Sequence, residues 1–150
     1  MSDNSILQRS AAVLEWDLVL EVLAGHAKSS MGAQRCRALP LETDLEAART
    51  RFQETAEMVA LREEDDPFPS LSVPDLREAV GRASKGATLE PYELRDLSLV
   101  MGLAEEVTRY LRARRQQAAA LCAVAAPLEA VREVSHIKDD IDRCIDPESN

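Results

Sequence analysis

Residues 14–27 constrain the fold more than any other stretch, because they hold the only tryptophan of the chain within a dense apolar run. The apolar side chains recur every three or four positions, which is the spacing of one face of an α-helix. The members of this face are Trp16, Val19, Leu20, Leu23 and Ala27, and Leu18 and Val22 widen it. We therefore expect a helix that is buried around most of its circumference and forms the centre of a helical core. Truncation of a fully buried Trp16 to alanine is expected to cost about 3–5 kcal/mol.

The size and charge of the chain narrow the functional classes. Its 150 residues suit one domain, which can fold without disulfides or a metal. The 27 acidic and 18 basic residues give a net charge of -9, which argues against a free-standing nucleic-acid binder, because phosphate contacts supply much of that affinity. Cys36, Cys122 and Cys144 are expected to be reduced, buried thiols of a cytosolic protein. No signal-peptide pattern and no apolar run of about 20 residues is present, so neither secretion nor membrane insertion is expected.

Helical periodicity continues through the rest of the sequence. Residues 44–64 are predicted to form an amphipathic helix, with a capping box made by Thr43 and Glu46. The stripe of this helix consists of Leu45, Ala48, Phe52, Ala56 and Val59. The longest predicted helix covers residues 90–117, with Pro91 near its first position, where the missing N–H costs nothing. Its stripe consists of Leu94, Leu97, Met101, Ala104, Thr108 and Leu111.

Prolines, glycines and capping residues mark where the other helices begin and end. Pro40 ends a helix over 30–39, and three prolines make residues 65–74 an extended connection. Asp75 is expected to cap a helix over 76–84, after which Gly86 can adopt a left-handed conformation. A last helix is predicted after Pro127, over 128–144. The predicted fold class is all-α, an irregular bundle of about six to seven helices with no significant sheet.

Basic residues cluster at the C-terminal turns of the longest helix. They are Arg109, Arg112, Arg114 and Arg115. One interpretation is a patch that contacts phosphates of a nucleic acid. The other is a solvated helix end whose cations complement the helix dipole, which the acidic balance of the chain favours.

The residues offer little catalytic chemistry. No glycine-rich loop with a terminal Gly-Lys-Ser/Thr is present, so no nucleotide site is expected. His26 and His136 lack partners at metal-ligand spacing, and the acidic run over 63–66 is interpreted as a solvated helix end rather than a calcium loop. A pairing of Cys122 or Cys144 with His136 as nucleophile and base has no support in the sequence. Catalytic residues, metal ligands, cofactors and a small-molecule substrate are therefore not predicted for this segment.

Short motifs in a fixed order span nearly the whole chain and together resemble one family. They are Leu14-Glu15-Trp16-Asp17, Ala24-Gly25-His26-Ala27, Ser29-Ser30 with Gly32, Pro40, Glu54-Thr55-Ala56-Glu57, Asp75-Leu76-Arg77, Arg82-Ala83, Lys85-Gly86, Leu89, Pro91, Glu93-Leu94 and Arg143-Cys144-Ile145-Asp146. This set resembles the second branch of the bacterial MutS proteins, which suppresses recombination and rescues stalled ribosomes. Trp16 departs from the pattern, since phenylalanine or tyrosine is commoner there.

The resemblance implies a role within a longer protein of the bacterial cytoplasm. Residues 1–146 correspond to the N-terminal part of a helical core, and 147–150 to a truncated tail before the absent lever and clamp regions. Full-length relatives carry a P-loop ATPase that uses ATP and Mg²⁺, levers with a clamp, and a C-terminal Smr endonuclease domain. They are expected to form homodimers that bind branched DNA or the ribosome. This segment would then be a non-catalytic scaffold whose partners are the ATPase, levers and clamp of the same polypeptide.

Two alternatives remain open from the residues alone. The first is a nucleic-acid-binding helical module that uses the patch of Arg109 to Arg115. The second is a stand-alone helical domain for protein interaction, which applies if the chain is complete.

Overall fold

A computed structural model describes residues 3–145, which are helical throughout apart from their connections. The helices are α1 (Asp3–Val13), α2 (Trp16–Gly25), α3 (Ser30–Arg37), α4 (Leu45–Arg62), α5 (Arg77–Ala83), α6 (Pro91–Ala113), α7 (Ala119–Ala125) and α8 (Ser135–Cys144), with a 3-10 segment (Ala126–Val134) between the last two. Within residues 3–145 no strand is present. The prediction of an all-α fold without a sheet is thereby confirmed. The predicted tail over 147–150, and Asp146 of the closing motif, lie outside the described residues.

The chain divides into two compact units, Met1–Arg49 and Thr50–Asn150, which are described separately. In unit 1, α2 packs against α1 and α3. The indole Nε1 of Trp16 donates a hydrogen bond to the carbonyl oxygen of Leu39 at 3.2 Å, and Arg37 pairs with Glu21 at 2.8 Å. These contacts tie the C-terminal end of α3 and the turn that follows it to α2.

The turn before α3 explains one of the short motifs. The Ser29 hydroxyl accepts a hydrogen bond from the backbone N–H of Gly32 at 3.1 Å and so caps the helix. A Cβ at position 32 would lie 3.1 Å from the same hydroxyl oxygen and 3.4 Å from the Ala27 side chain. Glycine at this position therefore allows the close approach that the cap requires.

The predicted burial of α2 is wrong. Leu20 and Ala24 are buried, but Trp16 is only half-buried, and both Leu18 and Val22 are 60% exposed. Apolar side chains favour removal from water, but they become buried only where a neighbouring element covers them. The helix starts at Trp16 because Glu15 adopts a left-handed conformation (φ 49°), which separates α1 from α2.

The sequence interpretation of α4 needs two corrections. Asp44, rather than Thr43, caps the helix, because its carboxylate accepts from the backbone N–H of Ala47 at 2.8 Å, while Glu46 pairs with Arg49. The stripe expected to face the core is also wrong in direction, since Leu45, Phe52 and Val59 are exposed. The face that carries Leu61 is the buried one.

Unit 2 is organised around α6, which contacts α7, the 3-10 segment and α8. Its core consists of Leu61, Val107, Tyr110, Leu111 and Ala118. The predicted stripe of α6 is confirmed, because Met101, Ala104, Thr108 and Leu111 are buried and Leu94 and Leu97 are half-buried.

The boundaries around α6 follow the predicted punctuation residues in part. Pro91 occupies the start of α6, and the Glu93 carboxylate accepts from the N–H of Glu90 at 2.9 Å. Gly86 has φ 85°, so the predicted left-handed residue after α5 is confirmed. The single last helix over 128–144 is wrong, because the chain runs as a 3-10 segment to Val134 before α8 begins. Pro127 in the first turn of that segment lacks an N–H and favours a locally tightened backbone.

Candidate nucleic-acid interface at the end of α6

The four arginines predicted to form a phosphate-binding patch have different surroundings. Arg109, Arg112 and Arg115 are exposed, whereas the Arg114 side chain is only 16% exposed. Helix α6 ends at Ala113, so Arg114 and Arg115 belong to the turn that follows it rather than to a regular helix face. The patch therefore divides into one internal arginine and three arginines at the surface.

Arg114 connects α6 to the segment that follows α4. Its Nε donates to Glu64 at 2.7 Å, its Nη2 donates to Asp66 at 2.8 Å, and its guanidinium lies 3.8 Å from the centre of the Tyr110 ring. These two carboxylate hydrogen bonds raise the pKa of Arg114. Two residues of the acidic run over 63–66, Glu64 and Asp66, thus converge on a cation supplied by the chain itself. Arg114 has an internal structural role that a nucleic acid would have to displace.

Tyr110 completes the same connection from inside the core. Its hydroxyl donates to the backbone oxygen of Asp66 at 2.8 Å, and Phe68 packs edge-on against its ring at a centroid distance of 5.4 Å. Burial raises the pKa of the Tyr110 hydroxyl. The connection over 65–74 is therefore fixed at its start by one aromatic pair and one arginine.

Arg109 and Arg112 lie beside an arginine that the sequence did not single out. Together with Arg132, they line a shallow cleft of about 450 Å³ between α6 and the start of α8, where Glu105, Thr108 and Ser135 complete the wall. Arg112 donates to Glu129 at 2.8 Å, and this hydrogen bond lowers the pKa of Glu129. Sequence reasoning missed Arg132 because it lies 17 or more residues from the other arginines and on a different element.

A carboxylate in one of the ordered short motifs has a structural role. Glu57 of α4 accepts hydrogen bonds from the backbone N–H groups of Ala120 at 3.2 Å and Leu121 at 2.9 Å, and therefore caps α7. Burial acts to raise the pKa of Glu57, but these two bonds and one from Gln53 outweigh it and lower the pKa. The last residue of the Glu-Thr-Ala-Glu motif therefore stabilises the start of α7.

The side chains considered for catalysis do not form a reactive cluster. Among residues 3–145, no three or more His, Cys, Asp and Glu side chains converge to hold a metal ion. His26 and His136 are exposed, and the three cysteines are free thiols, of which Cys144 is exposed. The Cys122 thiol donates to the backbone oxygen of Leu111 at 3.4 Å. Across the described helices, none combines the length and apolar character needed to cross a bilayer.

Comparison with known proteins finds relatives of this chain that share one name. The chain is 32% identical over 139 residues to Endonuclease MutS2 of Anaeromyxobacter sp. and 29% identical over 139 residues to Endonuclease MutS2 of Geobacillus thermodenitrificans. Endonuclease MutS2 of Bacillus velezensis is 25% identical over a region of the same length. Each match covers 93% of this chain but only 17–18% of the relative.

The chain therefore spans less than one fifth of the length of these relatives. No family profile and no solved structure matches it. The resemblance that the ordered motifs predicted is confirmed, because 93% of this chain is similar to one segment of longer proteins named Endonuclease MutS2.

Proposed function

We propose that this chain is a non-catalytic helical scaffold, the N-terminal core segment of a MutS-like ATPase, through which the ATPase is linked to levers and a clamp. The observation that carries the proposal is a set of hydrogen bonds and ion pairs that join α6 to the other parts of unit 2. Near the start of α6, Arg82 of α5 pairs with the buried Glu93. In its middle, Ser98 donates to Asp142 of α8, and at its end Arg114 holds Glu64 and Asp66.

These hydrogen bonds and ion pairs suit a segment that transmits displacement from one region of a protein to another. Hydrogen bonds from the N–H of Glu90 and from Arg82 lower the pKa of Glu93, so its carboxylate stays charged and paired near neutral pH. Closely packed helices that are tied at several points move as units rather than deform, because packed interiors have low compressibility. A movement applied to α6 would therefore be passed to α5, to α8 and to the connection over 65–74 together.

The properties of the whole protein are part of the same proposal. The name Endonuclease MutS2 supports a longer protein with nuclease activity, and the MutS resemblance supports an ATPase that uses ATP and Mg²⁺. We further propose a homodimer in the bacterial cytoplasm that acts on branched DNA or stalled ribosomes, in suppression of recombination or in ribosome rescue. A Smr domain would supply the endonuclease.

The scaffold role can be tested with a chimera. This chain would replace the matching segment of the Anaeromyxobacter MutS2, and Arg114→Gln would loosen the connection over 65–74 from α6. We expect ATP hydrolysis to persist while its response to branched DNA weakens, and Arg115→Gln, at the neighbouring exposed position, to leave that response unchanged. Phosphate release by the isolated chain, or full DNA response in the Arg114→Gln chimera, would contradict the proposal.

A second candidate function is contact with a nucleic acid through the cleft of Arg109, Arg112 and Arg132. Its supporting observation is that elements distant in sequence bring these three guanidinium groups to one cleft. If they contact phosphates, Arg109→Glu with Arg132→Glu should weaken the retardation of branched DNA in gels and reduce the salt dependence of the remaining binding by about two charges. Arg62→Glu on α4 is the matched control. Equal retardation by the double variant and the control would exclude this cleft.

A further inference from the structure

The carboxylate of Glu129 lies among the arginines of the cleft described above. Glu129 belongs to the 3-10 segment, and Arg112 of α6 donates to its Oε1 atom from Nη2 at 2.8 Å and from Nε at 3.3 Å. The hydrogen bond from Arg112 lowers the pKa of Glu129, and the charges of Arg132 and Arg115 lower it further. One carboxylate therefore lies close to three guanidinium groups.

The three arginines of the cleft differ in whether a carboxylate already occupies them. Glu105 lines the wall of the cleft, but among residues 3–145 it forms no ion pair with an arginine. In the same part of the chain neither Arg109 nor Arg132 forms an ion pair, whereas Arg112 pairs with Glu129. The cleft thus offers two arginines without a carboxylate partner and a third that Glu129 already occupies.

The pair of Arg112 and Glu129 can open without unfolding the chain. Its two side chains are 46% and 52% exposed, and an ion pair at this exposure contributes little to stability, because water and salt screen it. A phosphate oxygen accepts hydrogen bonds from a guanidinium group as a carboxylate oxygen does, from the same planar set of donors. The carboxylate of Glu129 therefore takes the donors that a phosphate at Arg112 would need.

We propose that Glu129 is an internal competitor for the cleft, and that a nucleic-acid strand binds there by exchanging one of its phosphates for Glu129 at Arg112. The inference rests on the second candidate function above and adds a regulation of that cleft. A strand can make this exchange because it presents further phosphates to Arg109 and Arg132 at the same time. A single phosphate ion has no such additional contacts, so the cleft favours a strand over free phosphate.

The exchange has a signature in the salt dependence of binding. A strand releases about one bound cation for each phosphate that an arginine neutralises. In the wild type, the freed carboxylate of Glu129 attracts a cation in turn, which cancels the release at Arg112. Replacement of Glu129 by glutamine removes this cancellation. The dependence of the logarithm of the binding constant on the logarithm of the salt concentration should then become steeper by about 0.7–0.9, the contribution of one phosphate contact.

The test titrates a fluorescein-labelled four-way DNA junction with the purified 150-residue chain and follows fluorescence anisotropy at several low salt concentrations. Glu129→Gln should bind about three- to tenfold more tightly than the wild type and show the steeper salt dependence. Glu133→Gln is the matched control, because it removes the same charge from an exposed position of the same segment, and it should change the affinity by less than about twofold. Circular dichroism would verify that all three chains are equally helical.

A second titration tests the preference for a strand. Inorganic phosphate should displace no more junction from the wild type than chloride does at equal ionic strength, because one phosphate ion cannot contact all three arginines. Greater displacement by phosphate would contradict that preference.

A double-mutant cycle separates exchange at Arg112 from a general effect of charge. Glu129→Gln should gain clearly less affinity in an Arg112→Gln chain than in the wild type, because the pair that competes with the strand is then already absent. Equal gains in both chains, or equal gains from Glu129→Gln and Glu133→Gln, would overturn the exchange.

The failure of the exchange can be distinguished from the failure of the candidate function. If the exchange fails, weaker binding by Arg109→Glu with Arg132→Glu would still support the cleft as a nucleic-acid site. An arginine double variant that binds like the wild type would overturn both, and so would the absence of binding by the wild type and by Glu129→Gln. Binding by Glu129→Gln but not by the wild type would support the exchange, with Glu129 blocking the cleft completely.

Discussion

The two units of the chain differ in how apolar sequence relates to burial. Unit 1 contains α2, a strongly apolar helix, yet only Leu20 and Ala24 of that helix are buried. Unit 2 buries eight residues of α6, although that helix is close to neutral in average hydropathy. The difference shows that the pattern of apolar positions decides which helix forms the core. The total apolar content of a helix decides only how much apolar surface that helix can offer to other elements.

The largest expected effect tests the core of unit 2. Leu61→Ala should lower the free energy of unfolding by about 2–5 kcal/mol, because it removes a fully buried side chain and leaves a cavity. Leu18→Ala in α2 is the matched control and should change stability by no more than about 0.5 kcal/mol, since Leu18 is exposed. Urea unfolding followed by circular dichroism measures both. A large effect of Leu18→Ala would break the contrast between the units.

The second effect tests the cap that α4 provides to α7. Glu57→Ala should cost about 0.5–2 kcal/mol, the range for loss of a helix cap, because the N–H groups of Ala120 and Leu121 would lose their acceptor. Glu54→Ala, at a neighbouring carboxylate paired with Arg51, is the control and should cost less. Hydrogen exchange at residues 119–125 measures the local effect. Unchanged exchange there would show that Glu57 does not cap α7.

A smaller effect tests the interior of unit 1. Trp16→Phe should cost about 0.5–1.5 kcal/mol, because it keeps an aromatic ring and removes the hydrogen bond to Leu39. This is less than the 3–5 kcal/mol expected for truncation of a fully buried tryptophan, since Trp16 is half-buried. Thermal unfolding by circular dichroism serves as the measurement. A loss of stability as large as that of Leu61→Ala would instead indicate that the Trp16 indole is a central residue of the core.

The smallest effect concerns the start of α5. The hydrogen bonds that the Arg77 side chain donates to Asp75 lower the pKa of that carboxyl from 3.8 to about 2. A lowered folded-state pKa means that the stabilisation is complete above the unfolded value and is lost as the pH falls through about 2. Asp75→Asn should therefore be slightly less stable than the wild type at pH 7, and the difference should disappear between pH 4 and 2. A difference that is as large at pH 2 as at pH 7 would contradict this origin.

Local signals in the sequence predicted α6 and the turn before it well. The period of the α6 stripe, Pro91 at its start and Gly86 before it each act within a few residues, so they can be recognised from neighbours in sequence. The ties of Arg114 to Glu64 and Asp66 could not be predicted, because about 50 residues separate the partners. The candidate site could be predicted only in part for the same reason, since Arg132 joins Arg109 and Arg112 only through the fold. The exposure of α2 and of Phe52 depends on which elements cover them, and periodicity alone does not contain that information.

The bond between Glu57 and α7 has a consequence for the order in which the chain can fold. A seven-residue helix is too short to persist by itself in water, and here its first turn is completed by a side chain more than 60 residues upstream. During synthesis α4 leaves the ribosome long before α7, so the carboxylate that completes the first turn of α7 is present before that helix is made. A fragment that begins after residue 63 would retain every residue of α7 and still lack the group that starts it.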